Sequence, residues 1–329
     1  MVKNEEAAIK PTLKPFLEAG INHYLILDTG STDQTVKITR DLFKKYQIAQ
    51  GHIAEKSFVD FATSRNYALQ CAEEKFPNAA FFLMIDAEWQ ISNVHALIQF
   101  CEEHIQDKHD AYGINIVAND TLSHYLYCLF RASSKLRYKG AIHEVIDTQC
   151  AKKAPLSIFF RYNPSKYGAQ KSEQRLQKDV DLLVKQLESY PNNACILLYL
   201  AQTYDRLNDY SKAINYYTQR CTINGGDEND FFAYFSLAQL YERLNDGDKA
   251  VANYLEAYNK YPHRAEPLIY LAHYYLDQKK YNLSFYFATE AVKIPFPSDD
   301  NLTISRQLYD YTRHEILANA AHYLNEGNL

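Results

Sequence analysis

The second half of the sequence repeats itself, and that repeat leaves little choice of architecture. The segments LYLAQTYDRLNDYSKAINYY (Leu198–Tyr217), FSLAQLYERLNDGDKAVANY (Phe235–Tyr254) and IYLAHYYLDQKKYNLSFYF (Ile269–Phe287) align on one frame. Ala201, Ala238 and Ala272 share one position of that frame, at steps of 37 and 34 residues, and Ala213, Ala250 and Ser284 recur at the same two intervals. A unit of this length cannot bury an apolar face alone, so successive copies must stack on their neighbours. The pattern predicts pairs of helices.

The frame resembles the tetratricopeptide repeat, in which small residues let paired helices approach closely and tyrosines fill the gaps between pairs. Tyr204, Tyr217, Tyr254 and Tyr270 are therefore expected in the core rather than in a recognition groove. IPFPSDDN (Ile294–Asn301) should break the last repeat, and a helix from about Leu302 to Tyr323 should cap the stack.

Upstream of Asn163-Pro164-Ser165 the pattern is different. Short runs rich in β-branched and aromatic residues, YLILD (Tyr24–Asp28), FFLMID (Phe81–Asp86), AYGINIV (Ala111–Val117) and LSIFFRY (Leu156–Tyr162), alternate with helical patterns. That alternation predicts an α/β domain over 1–165 with a mostly parallel sheet covered on both faces, followed by an all-α domain over 166–329. A chain of 329 residues is long enough for two such cores.

Charge and cysteine content exclude several classes. The net charge is -5, and 18 basic residues against 19 acidic ones up to Pro164 leave no basic surface for a nucleic acid polymer. Six cysteines lie far apart without a C-x-x-C pair, which argues against a zinc cage or a disulfide framework and fits a reducing cytoplasmic setting. No apolar run has the length needed to cross a bilayer. Only 10 glycines are present, with no G-x-G-x-x-G, P-loop or G-x-S-x-G string, so dinucleotide oxidoreductase, P-loop kinase and serine hydrolase readings are set aside.

Six motifs follow one another in the first half: VKNEE (Val2–Glu6), LILDTGSTDQT (Leu25–Thr35), FVDFATSRNYAL (Phe58–Leu69), FFLMIDAEW (Phe81–Trp89), LFR (Leu129–Arg131) and YKGAIHE (Tyr138–Glu144). In this order they resemble the family 2 glycosyltransferases of the GT-A fold, a Rossmann-like architecture, in the form that carries C-terminal tetratricopeptide repeats. The resemblance implies a sugar transfer with inversion from a nucleoside-diphosphate-sugar, UDP- or GDP-linked, to an acceptor hydroxyl. It also implies a divalent cation, Mn²⁺ or Mg²⁺.

Residue roles follow from the resemblance position by position. Asp28 is expected at the nucleotide base, Glu5 and Arg65 in donor binding, and Arg131 either on a donor phosphate or paired with Glu144. Asp86-Ala87-Glu88 matches the D-x-D motif with glutamate last, so Glu88 is the leading metal ligand, Asp86 the supporting one, and His143 a contact to metal or diphosphate. Glu144 is the expected base or acceptor-orienting group, with Asp120 and Asp147 in reserve. The residues themselves point the same way in part. Two carboxylates one residue apart after a buried strand are costly without a positive partner, and a hard divalent cation held by one or two carboxylates plus phosphates would supply it. Asp33 reads as a helix cap.

Sequences of that family carry a few apolar residues before VKNEE, forming a central first strand, whereas Met1 directly precedes Val2 here. A late start or a truncated strand are the two expectations. A contrasting reading keeps the repeats as the working part: an interaction or scaffold protein, self-associating or binding a protein partner, with an inactive transferase-like domain.

Overall fold

The computed structural model describes residues 1–118, 122–140, 142, 144–146, 148, 150–163, 166–223, 225, 228–298, 300 and 303–326. The chain divides into two compact units, Met1–Arg175 and Leu176–Leu329.

In the first unit, α1 (Ile9–Glu18) buries Ile9, Leu13, Phe16 and Leu17, one stripe at helical spacing. It leads into β1 (His23–Asp28), α2 (Thr35–Lys45) and β2 (Gln50–Glu55). β1 and β2 pair in parallel from His23↔Gln50 to Asp28↔Glu55. Next come α3 (Phe61–Lys75), β3 (Phe81–Leu83), β4 (Trp89–Ile91) and α4 (Val94–Glu103). Asp60 and Asn93 cap α3 and α4, their side chains accepting from Thr63 N and Ala96 N.

The rest of the unit is β5 (Ala111–Ala118), β6 (Leu122–Arg131), the short β7 (Tyr138–Lys139) and β8 (Val145–Ile146), then β9 (Ala151–Lys153) and β10 (Phe159–Tyr162). β5 and β6 are antiparallel, from Ala111↔Phe130 to Ala118↔Leu122. β3 lies antiparallel on β6, β10 parallel on β5, and β4 antiparallel on β10. β9 runs parallel to the start of β5, and β7 and β8 pair as a separate ribbon.

The expected mostly parallel sheet is corrected: the sheet is mixed. Its longest ladder is the β5–β6 hairpin, and antiparallel neighbours need only a short connection where parallel ones need a crossover. The strand expected to run to Asp86 stops at Leu83, and Trp89 N donates to Asp86 O at 3.2 Å, so Asp86–Trp89 is a turn. Tyr112, Ile114 and Phe160 are fully buried at the centre of the core.

The helix α5 (Lys166–Ser189) spans the division between the units. The second unit continues with α6 (Ala194–Arg206), α7 (Tyr210–Cys221), α8 (Glu228–Arg243), α9 (Gly247–Lys260), α10 (Glu266–Asp277) and α11 (Tyr281–Lys293). Ala201, Ala213, Ala238, Ala272 and Ser284 are all 0% exposed, as close helix approach requires. Asn208, Asn245 and Lys279 hold the same left-handed place in the three tight turns, with φ of 59°, 59° and 57°. Tyr204, Tyr217 and Tyr254 are buried.

The cap expected from Leu302 begins later. The chain winds in wide turns over Leu308–Thr312 before α12 (Arg313–Glu326), and the wide turn brings Tyr309 inward. Its hydroxyl donates to Glu266 Oε2 at 2.6 Å and accepts from Ala265 N at 3.0 Å, while Arg264 pairs with Glu266 at 2.6 Å.

Candidate functional site

The loops that follow the first two motifs are tied to each other. Asn4 N donates to Ser31 Oγ at 2.9 Å and Thr32 N to Asn4 Oδ1 at 2.7 Å. Glu6 N donates to Asp33 Oδ2 at 3.1 Å, and Gln34 N to Glu6 Oε2 at 3.0 Å. These reciprocal bonds need the short polar side chains of both strings, which is a structural reason for Asn4, Ser31 and Asp33 to stand where they do. Asp33 also accepts from Thr35 N at 2.9 Å, but the cap position of α2 falls to Gln34, one residue later than the helix cap expected at Asp33. Glu5 sits in this loop, its amide donating to Thr35 Oγ1 at 2.6 Å.

Asp28 closes the turn beyond β1. Its carboxylate is buried and accepts from Ser31 N at 3.1 Å and Gly30 N at 3.3 Å, with Gly30 at φ 100°, where a side chain would be strained.

Arg65, in the second turn of α3, is the hub. Its Nη2 donates to Asp86 Oδ1 at 2.8 Å and its Nε to Glu144 Oε1 at 2.5 Å. The guanidinium lies 5.5 Å from the centre of the Tyr138 ring. Burial opposes its charge, but Asp86, Glu144 and Tyr138 outweigh that and hold the guanidinium protonated well above its usual range. Asn66, next in the helix, accepts from Tyr138 N at 2.7 Å and donates to Tyr138 O at 2.9 Å. The Arg-Asn pair therefore anchors the segment that carries Glu144.

The cluster holds one guanidinium and two carboxylates, so it carries a formal charge of -1. The side chains of Arg65 and Glu144 are 7% and 11% exposed, whereas that of Asp86 is 37% exposed. Asp86 is thus the member that faces solvent. Ala87 is buried, and its carbonyl accepts from Thr12 Oγ1, which fixes the turn between Asp86 and Glu88. Glu88 is tied through its carbonyl to Asn163 N at 3.0 Å.

The structure brings together Arg65, Asp86 and Glu144, which lie 21 and 79 residues apart. Arg131 is corrected: it joins neither Glu144 nor this cluster. Its guanidinium donates to the carbonyls of Ile105 at 2.6 Å, His104 at 2.9 Å and Asp107 at 2.6 Å, a set of acceptors that saturates it beyond the end of α4. His143, Asp120 and Asp147 lie outside the described residues. Among the described residues no three of His, Cys, Asp and Glu converge for a metal ion. Asp86 and Glu88 remain hard-oxygen donors at one turn, a set that suits Mn²⁺ or Mg²⁺ only if phosphate oxygens complete the shell. Sequence reasoning missed Tyr138 as the ring beside Arg65 and Asn66 as the clamp; the aromatic residue two before Gly140 was the available signal.

Family models for the tetratricopeptide repeat match residues 197–229 and 233–259. Residues 197–259 are tetratricopeptide repeats. A comparison with curated proteins finds no match. Among solved structures, the MamA crystal structure matches at 14% identity over 50% of this chain and 97% of its own, with a TM-score of 0.35. The Sgt2 tetratricopeptide domain from Aspergillus fumigatus matches at 16% identity over 41% of this chain and 81% of its own, with a TM-score of 0.33. No described helix is long and apolar enough to cross a membrane.

Proposed function

We propose that this chain is an interaction protein whose tetratricopeptide repeats bind a polypeptide, either a protein partner or a second copy. The observation that carries the reading is the match of residues 197–259 to the repeat, together with helix pairs whose small residues are fully buried while Leu255, Leu283, Phe285 and Tyr286 are exposed. A photocrosslinker at exposed Lys212 should capture a polypeptide, and one at exposed Lys152 in the first unit should not. Equal capture from both positions, or none from Lys212, defeats it.

A second reading concerns the first unit, and the Arg65–Asp86–Glu144 cluster favours it. In this reading the unit is an inverting, metal-dependent glycosyltransferase acting on a UDP- or GDP-linked sugar and an acceptor hydroxyl. Asp86 and Glu88 would hold Mn²⁺ or Mg²⁺, which would supply positive charge for the diphosphate of the donor. Asp28 and Glu5 line the nucleoside side, and Arg65 orients Asp86 and Glu144. Glu144 takes the acceptor proton. Two acids held on one buried arginine support a functional site, because clusters of perturbed charge gather at such sites. Supporting it also is the order of the six motifs.

The experiment is a thermal shift with UDP or GDP and Mn²⁺, followed by a nucleotide-sugar hydrolysis panel. A ligand at 100 times its Kd adds about 2.7 kcal/mol to stability. A shift that Asp86→Ala and Glu88→Ala abolish, with hydrolysis of one donor, supports the transferase. No shift with any nucleotide leaves the first unit as a scaffold for the repeats.

A further inference from the structure

The three repeats differ where the second helix of each pair faces outward. Ala213 of α7, Ala250 of α9 and Ser284 of α11 share one buried place in the frame, so the residues around them match directly. Just before that place stand Lys212, Lys249 and Leu283, and two residues after it stand Asn215, Ala252 and Tyr286, all six exposed. In the first two helices the lysine reaches back to the aspartate that caps its own helix, Lys212 to Asp209 at 2.8 Å and Lys249 to Asp246 at 2.6 Å. In α11 the cap position is Lys280 and the lysine position is Leu283, so an exposed leucine replaces an exposed ion pair.

Leu283 and Tyr286 lie one turn apart, 42% and 58% exposed, and Phe285 beside them is 38% exposed. Tyr281, at the head of the helix, stacks on Tyr323 of α12 with ring centres 4.7 Å apart, which extends the apolar strip. From Tyr281 to Thr289 the helix carries no charged residue. An exposed apolar residue standing alone needs no explanation, but several on one charge-free face, at places that are polar or small in the sister helices, mark a surface that another surface covers. The charges stand at the two ends. Lys280 lies before the first turn and Glu290 in the last, where Lys293 holds it at 2.6 Å in an exposed pair that costs little to open.

We propose that the outer face of α11 is a self-association surface whose occupant is a second copy of this chain, paired antiparallel through Leu283, Phe285 and Tyr286. The proposal rests on the reading of the repeats as a polypeptide-binding unit and names the partner. What selects a second copy is that the strip is complementary to itself. Phe285 lies midway between Lys280 and Glu290, so a two-fold axis beside it sets each Lys280 opposite the partner's Glu290 while Leu283 and Tyr286 of both copies meet at the axis. The antiparallel helix dipoles favour the same arrangement. A parallel one would set Lys280 against the partner's Lys280. The contact is small, so the dimer should form and dissociate with concentration rather than persist.

Sedimentation of the full chain over two decades of concentration tests the pairing, and the chain should pass reversibly from monomer to dimer. Leu283→Lys with Tyr286→Asn, which installs the α7 residues on α11, should weaken the dimer about 10²-fold or more with the helical signal kept, because four such side chains leave the interface. Lys280→Glu should weaken it about 5-fold, and Glu290→Lys added to it should restore the affinity. These charge variants leave the apolar face untouched and decide the matter if the first variant does not fold. A chain that is monomeric at every concentration overturns the proposal. So does a dimer indifferent to the folded Leu283→Lys, Tyr286→Asn variant, or a Lys280→Glu loss that Glu290→Lys does not rescue. A monomeric chain that still captures a polypeptide from the crosslinker at Lys212 overturns the second copy alone and leaves the repeats as a binding unit for a different protein; failure of both removes that reading as well.

Discussion

Arg65 Nη2 stands 2.8 Å from Asp86 Oδ1, and Nε of the same guanidinium donates to Glu144 Oε1 at 2.5 Å, so one arginine links the two acids. Removing one member of a buried ion pair strands the others. Arg65→Met should therefore destabilise the first unit by about 3 kcal/mol, read as a lower urea midpoint with unchanged slope. The double variant Arg65→Met with Glu144→Met should recover part of that loss, since Glu144 is then no longer buried without its partner. Additive losses would show that the two residues do not communicate.

If the first unit transfers sugar, Glu144 and Asp86 must separate in their kinetics. Glu144→Gln keeps size and a hydrogen bond to Arg65 but cannot accept a proton. Nucleotide binding should survive while turnover falls about 10²- to 10⁴-fold. An unchanged rate removes Glu144 from the base position. Asp86→Ala should instead lose the Mn²⁺-dependent thermal shift.

The repeat unit was legible because its period is written in small residues: Ala201, Ala238 and Ala272 mark the frame and all prove fully buried. The sheet was less legible. β2 is QGHIAE, with one strongly apolar residue, and it becomes a strand through its backbone ladder to β1 rather than through its side chains. β6 starts with Leu122-Ser123-His124, too polar to read as a buried run, so only LFR at its end stood out. Without β6 the antiparallel character of the sheet could not be seen. The site shows the same limit. Arg65, Asp86 and Glu144 each stand out in the sequence, but spacing along a chain does not say which partner an arginine will meet, and Arg131, expected either on a donor phosphate or on Glu144, donates to carbonyls beyond α4.

Lys279 breaks the rule that the other two repeats obey. The turns between paired helices read Leu207-Asn208-Asp209, Leu244-Asn245-Asp246 and Gln278-Lys279-Lys280, and the middle residue is left-handed in each. Asparagine tolerates that conformation through its short polar side chain, and Asn208 further accepts from the Tyr210 hydroxyl at 2.8 Å. Lysine has no such compensation at φ 57°, and Lys279 is exposed, so changing it sacrifices no packing. Lys279→Asn should stabilise the repeats by about 0.5–1 kcal/mol and Lys279→Gly by a similar amount. Lys279→Val, branched at Cβ, should destabilise them. The measurement is the thermal midpoint of the helical signal for the three variants side by side. An order other than asparagine or glycine above lysine above valine would mean that the turn does not keep its left-handed residue in solution.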